Sequence, residues 1–124
     1  RKNLLSLRKK FERFKPYLAT IEEKKDEKIG PHAFPIIIQE GAPFKRRDLV
    51  DYLEKNEIET RSLFSSMPTQ CRGFSFLGYK LGDFPNAEFV GNNGLHIGVH
   101  QDLNEGHIDH FIEKIKEFLS KQIK

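Results

Sequence analysis

Ala33-Phe34-Pro35-Ile36-Ile37-Ile38-Gln39 is a short apolar run closed by turn formers on both sides, Gly30-Pro31 before it and Gly41-Ala42-Pro43 after it. Branching at Cβ suits a pleated backbone, so the run reads as a strand. Pro35 lacks an N–H and cannot donate to a ladder, which predicts an edge position or a strand that starts after it. Outward from this strand the periodicity turns helical. Upstream, Leu4, Leu7, Phe11, Phe14 and Leu18 recur at steps of three and four, predicting an amphipathic helix over residues 1–15 that Pro16 stops. Downstream, residues 46–55 predict a helix with Leu49, Tyr52 and Leu53 facing inward and Asn56 as its left-handed end. Lys45 stands where a Ser or Thr cap is expected, so that helix start is weakly specified.

Residues 57–61 read as a short strand, and residues 62–80 as a long irregular loop with scattered aromatics. Asp83 and Pro85 open a helix that runs to about residue 92 and ends at Asn93-Gly94. Residues 95–100 give another strand. Asn104 then caps a last helix whose inward face is Ile108, Phe111, Ile112, Ile115, Phe118 and Leu119. About three short strands cannot bury themselves on both faces. The expected fold is therefore α+β, a small sheet covered on one face by helices in a two-layer sandwich. The polar run Glu22-Glu23-Lys24-Lys25-Asp26-Glu27-Lys28 reads as a mobile connector. It divides residues 1–28, a helix with its connector, from residues 29–124, which carry the sheet.

Lys and Arg number 21 against 18 Asp and Glu, a net charge of +3 that is too slight to point to nucleic acid. No apolar run approaches the ~20 residues needed to cross a bilayer. The single Cys71 excludes an intramolecular disulfide and fits a reducing cytoplasm. The chain starts with Arg1 inside a helical pattern, which suggests a piece of a longer protein.

Arg61 is the strongest candidate site residue, because it ends a strand and opens the long loop. A guanidinium so placed can grip a carboxylate, a phosphate or sugar hydroxyls in bidentate fashion. The plainer alternative is a salt bridge to Glu59 or Asp83. Ser65, Ser66 and Gln70 follow it as candidate substrate contacts. His96 with His100 and His107 with His110 have spacings that invite a zinc site, but four convergent ligands are not in evidence and a surface or packing role is expected. Cys71 lacks a recognisable base, so no catalytic, cofactor or metal residue is assigned.

Three stretches carry a likeness to a known family: Ile58-Glu59-Thr60-Arg61-Ser62-Leu63-Phe64, Gly82-Asp83-Phe84-Pro85-Asn86-Ala87-Glu88 and Leu95-His96-Ile97-Gly98-Val99-His100. Together they resemble the C-terminal small domain of the DegT/DnrJ/StrS sugar-nucleotide aminotransferases and dehydrases, fold-type I enzymes. The CDP-4-keto-6-deoxyhexose 3-dehydrase branch is the nearest. That branch reads I-E-T-R-x-L-F, G-D-x-P-N/M-T-D and F-W-I-G-V-Y. This chain departs from it with His96 for Trp, His100 for Tyr, and Ser65-Ser66-Met67 and Gln70-Cys71 in the loop. The likeness runs from the first helix to the last and is most specific over residues 44–103.

The resemblance implies a small, mainly antiparallel sheet and a domain that closes over a substrate cleft, with Arg61 toward a nucleotide-linked hexose. It implies a parent enzyme dependent on pyridoxal or pyridoxamine phosphate, homodimeric and cytoplasmic, making deoxysugars or surface polysaccharide such as lipopolysaccharide. The cofactor-carrying N-terminal domain would be the missing partner, and this piece alone would be inactive. The competing expectation is a free-standing α+β binding module without catalysis. An uncovered apolar patch at Leu4, Leu7, Phe11 and Phe14 would favour a severed piece, and a histidine zinc module is the third possibility.

Overall fold

The computed structural model describes residues 1–63 and 67–123. Helix α1 spans Lys2–Phe11 and continues as a 3₁₀ turn over Glu12–Phe14. Strand β1 is Leu18–Ala19, β2 is Phe34–Ile38, α2 is Arg46–Lys55 and β3 is Arg61–Ser62. Two 3₁₀ segments, Pro68–Gln70 and Arg72–Leu77, precede α3 at Pro85–Asn93, β4 at Gly94–Ile97 and α4 at Glu105–Gln122. The strands pair antiparallel in the order β1-β2-β4-β3.

The α+β class thus holds, with four strands among the described residues where three were expected. The extra strand, β1, contains Leu18, which the helical periodicity had claimed. Pro16 ends the helical turn, and two residues later the chain lies beside Ile37 and Ile38. Leu18 is fully buried there, so one apolar side chain serves either reading of the pattern. The expected strand over 57–61 begins only at Arg61, and the one over 95–100 stops at Ile97.

Pro35 lies inside β2, an interior strand, and the register explains why it is tolerated. Its carbonyl accepts from the Thr20 hydroxyl at 2.6 Å, on the β1 side. A residue's N–H and C=O point to the same neighbour in a strand, so the missing donor faces a stretch that β1 is too short to pair.

One face of the sheet presents Leu18, Phe34, Ile36, Ile38, Leu95 and Ile97 to α1, α2 and α4, and all join a single buried cluster. Phe11 of α1 packs edge-on to Phe34 at 5.2 Å and stacks with Phe111 of α4 at 6.3 Å. Phe44 meets Phe118 at 4.9 Å near the other end of α4. The apolar face of α1 is therefore covered: Leu4, Leu7, Phe11 and Phe14 are all buried.

Helix ends show where local rules held. Asn104 caps α4, its Oδ1 accepting from His107 N, and His107 Nδ1 accepts from Asn104 N in return. Asp48 makes good the weak start of α2 by accepting from Lys45 N at 2.8 Å. Asn56 is not left-handed; the turn falls one residue later, at Glu57, with φ of 62°. Asp83 does not cap α3, whose cap residue is Phe84; its carboxylate accepts from Lys80 N instead. The polar connector is tied down at Glu23, which takes hydrogen bonds from Arg1, Arg8 and Ile29 N.

Candidate functional site

Arg61 owes its position to the α2–β3 turn. Ile58 N donates to Leu53 O at 3.0 Å, closing the turn over the left-handed Glu57. Glu54 then grips Thr60 twice, accepting from its N at 2.7 Å and its hydroxyl at 2.8 Å. Those hydrogen bonds favour the ionised carboxylate and hold Glu54 below its usual pKa. The chain enters β3 with its direction fixed.

Register decides which way Arg61 faces. It lies opposite His96 in β4, and His96 lies opposite Pro35 in β2. Side chains alternate across a sheet, so Arg61, His96, Pro35 and Ile37 share the face away from the helical layer. Arg61 is an exposed residue of an edge strand and pairs with Glu59. A pair so open to water is screened and adds little stability, which leaves both partners available to a ligand. Together with His32, Ala33, His96 and Gly98 they line a recess of about 200 Å³. The salt bridge to Glu59, the plainer expectation for Arg61, is present, and Arg61 also lines this recess.

Gln70 is placed differently. Its Nε2 donates to Glu88 at 2.6 Å and to Lys80 O at 3.2 Å, and its Oε1 accepts from Met67 N at 3.3 Å. The same Glu88 oxygen accepts from Gly82 N at 2.8 Å. The Gln70 amide, followed by the Gly82 N–H, lowers the Glu88 pKa. Gln70 therefore knots the loop to α3 and does not line the Arg61 recess. Ser65 and Ser66 lie outside the described residues.

The histidines fall into two groups: His32 and His96 line the Arg61 recess, and His100, His107 and His110 line a second recess of about 340 Å³ with Glu57 and Glu59. His107 serves the α4 cap, His110 lies 3.3 Å from Asn56 O, and His100 lies 3.8 Å from Asp102. Among the described residues no group of three or more His, Cys, Asp or Glu could hold a metal ion. Cys71 is exposed, its Sγ 3.7 Å from Met67 O. Among the described residues no helix is long and apolar enough to cross a membrane. Sequence reading missed His96 as a neighbour of Arg61 and Glu88 as the loop's organiser. The first was recoverable from strand alternation had the pairing been known; the second left no local signal.

A model of the DegT/DnrJ/EryC1/StrS aminotransferase family matches residues 1–116. A dTDP-4-dehydro-2,6-dideoxy-D-glucose 3-dehydratase of Saccharopolyspora spinosa is 34% identical over 89 residues, 71% of this chain and 19% of its own. The lipopolysaccharide biosynthesis protein RfbH of Salmonella typhimurium is 30% identical over 95 residues, 74% of this chain and 22% of its own. Among solved structures, the E. coli GDP-4-keto-6-deoxy-D-mannose-3-dehydratase with bound hydrated PLP superposes with a TM-score of 0.72 at 27% identity, over 91% of this chain and 29% of that one. The chain thus spans about a fifth of the curated relatives and under a third of that solved enzyme.

Proposed function

This chain belongs to the DegT/DnrJ/EryC1/StrS aminotransferase family, and we propose that it is the C-terminal substrate-cleft domain of a sugar-nucleotide aminotransferase or 3-dehydrase dependent on pyridoxal or pyridoxamine phosphate. The observation that carries the reading is Arg61, held by a fixed turn on the open face of the sheet, beside a recess and opposite the packed helices. A guanidinium carried on a fixed stretch of backbone can position a substrate without taking part in bond making. Ser65, Ser66 and Gln70 follow as loop contacts or, for Gln70, as the clasp that shapes the loop. Pyridoxal phosphate supplies an aldehyde that binds amines as a Schiff base. The resemblance assigns the cofactor's lysine or histidine to a separate domain, and no chemical step is assigned to this one. That domain, a homodimeric parent and a cytoplasmic setting in deoxysugar or polysaccharide synthesis complete the reading.

The exposed apolar residues Phe74, Phe76, Leu77 and Leu81, with the Phe74 and Phe76 rings 6.3 Å apart, support it, since exposed large apolar side chains grouped in one stretch suit a contact face. The competing reading, a free-standing binding module, is favoured by the covered face of α1. The gene decides between them. A coding sequence that continues upstream into a large domain with a lysine or histidine cofactor site is expected. In that longer enzyme Arg61→Ala should raise KM for the nucleotide sugar while the cofactor absorbance stays unchanged. A gene that starts at Arg1, or an aldimine band formed by this chain alone beyond nonspecific lysine adducts, would sink the proposal.

A further inference from the structure

We propose that the recess between the α2–β3 turn and the first half of α4 binds a small ring-bearing organic amine in its protonated form, independently of the Arg61 recess. It encloses about 340 Å³, near the lower end of the ~300–1,000 Å³ typical of small-molecule sites. It shares only Glu59 and Gly98 with the Arg61 recess. Its floor is apolar, built from Leu7, Ile58, Ile97, Leu103, Ile108 and Phe111. Such a floor suits the flat body of a ring and offers no hydrogen bond to a polyol or a phosphate.

Charge decides the head group. The polar lining is Glu57, Glu59, His100, His107 and His110, and among the described residues no Lys or Arg joins it. Glu59 shares its charge with Arg61, whereas the Glu57 carboxylate makes no hydrogen bond or ion pair among the described residues. The Glu57 backbone is held at φ of 62°, uncommon for a residue with a side chain, by its N donating to Glu54 O at 3.1 Å. The turn thus carries an unpartnered carboxylate to the edge of an apolar recess. An anion there meets like charge. An ammonium meets a complementary one and brings three donors. His110 adds an acceptor: its Nε2 lies 3.3 Å from Asn56 O, so in a neutral ring that nitrogen carries the proton and Nδ1 is left to accept. The N-terminus of α4 does not reverse the preference. Asn104 Oδ1 already accepts from His107 N, and Glu105 places a carboxylate in the first turn.

The test is an NMR titration of the 124-residue chain, following the histidine rings. The probes share one ring and differ in charge: tryptamine, the neutral tryptophol and the anionic indole-3-propionate. Tryptamine should shift His100, His107 and His110 and leave His32 and His96 in place, with a Kd in the millimolar range. Indole-3-propionate should bind at least about tenfold more weakly. Glu57→Gln, and separately Glu59→Gln, should weaken tryptamine by about threefold to tenfold without changing tryptophol, while the amide spectrum reports an intact fold. Added salt should weaken tryptamine alone. Equal binding of the three probes, or a tryptamine affinity unchanged in both variants, would overturn the cation site. The absence of any shift at the three histidines would overturn the recess as a binding site.

Discussion

The two halves of this chain hold themselves together by different forces. The helical layer and the sheet face beneath it contain every buried hydrophobic residue among the described ones, from Leu4 to Leu53 and from Leu95 to Leu119. The stretch between contributes none, although it carries Phe74, Phe76, Leu77, Tyr79 and Leu81. Phe76 and Leu81 are 78% and 77% exposed. What orders that stretch is polar: the Gln70–Glu88 knot, the Lys80–Asp83 turn and Arg46, which donates to Gly91 O at 2.9 Å. An apolar core stabilises cooperatively, whereas exposed hydrogen bonds compete with water and fix shape locally. The contrast teaches that the scaffold behind Arg61 is self-contained, while the loop beside it directs its apolar residues outward.

The contrast breaks if core and loop respond alike to substitution. The largest effect is expected at Phe34, fully buried between Phe11 and Phe111. Phe34→Ala should cost about 3–5 kcal/mol, measured by denaturant or thermal unfolding. Gly94→Ala comes next. A Cβ there would stand 2.5 Å from the Val90 carbonyl oxygen and 2.5 Å from Leu63 Cδ1, and the backbone atom cannot step aside. The expected loss is about 1–3 kcal/mol, read from the same curve.

Glu88→Ala sharpens the comparison, because it removes the acceptor for Gly82 and Gln70. Amide exchange at Gly82 should accelerate while the exchange of α4 is unchanged; slowed or global opening would contradict a local knot. Acid should loosen the connector at Glu23. Glu23 is held down to about 2, chiefly by the hydrogen bond from Arg1 and then by Ile29 N–H, against an ordinary 4.5. A depressed pKa means stability present above 4.5 that is lost as the pH falls toward 2. Glu23→Gln should flatten the stability profile in that window. Phe76→Ser is expected to change stability least, within about ±0.5 kcal/mol, while reducing self-association in sedimentation.

Much of the fold is legible in the amino-acid sequence. α2 and α4, the Asn104 cap and all six inward residues of α4 follow from a 3.6-residue apolar period that tertiary packing reinforces. The misses fall where the local signal was short or ambivalent. Leu18 fits a helical stripe and a two-residue strand equally well. Asn56 and Glu57 compete for one left-handed turn, and the site is set by the Ile58–Leu53 hydrogen bond. Asp83 had the chemistry of a cap but was drawn into the Lys80 turn. At the candidate site, Arg61 stood out through its place between strand and loop. His96 did not, because nothing in its own neighbours says which strand lies beside it.

The amino acids by themselves determined the α+β class, the long helices and the motif that carries the family likeness, all of which depend on residues near one another along the chain. Only the tertiary structure decided that β4 runs between β2 and β3, and hence that Arg61, Glu59, His96 and His32 meet around one recess, with Arg61 and His96 on the face opposite α1, α2 and α4. Period and capping are local physics, paid out over a few residues. Strand order is settled by which pairing buries Phe34, Ile36, Leu95 and Ile97 together, a global packing choice that no single segment encodes.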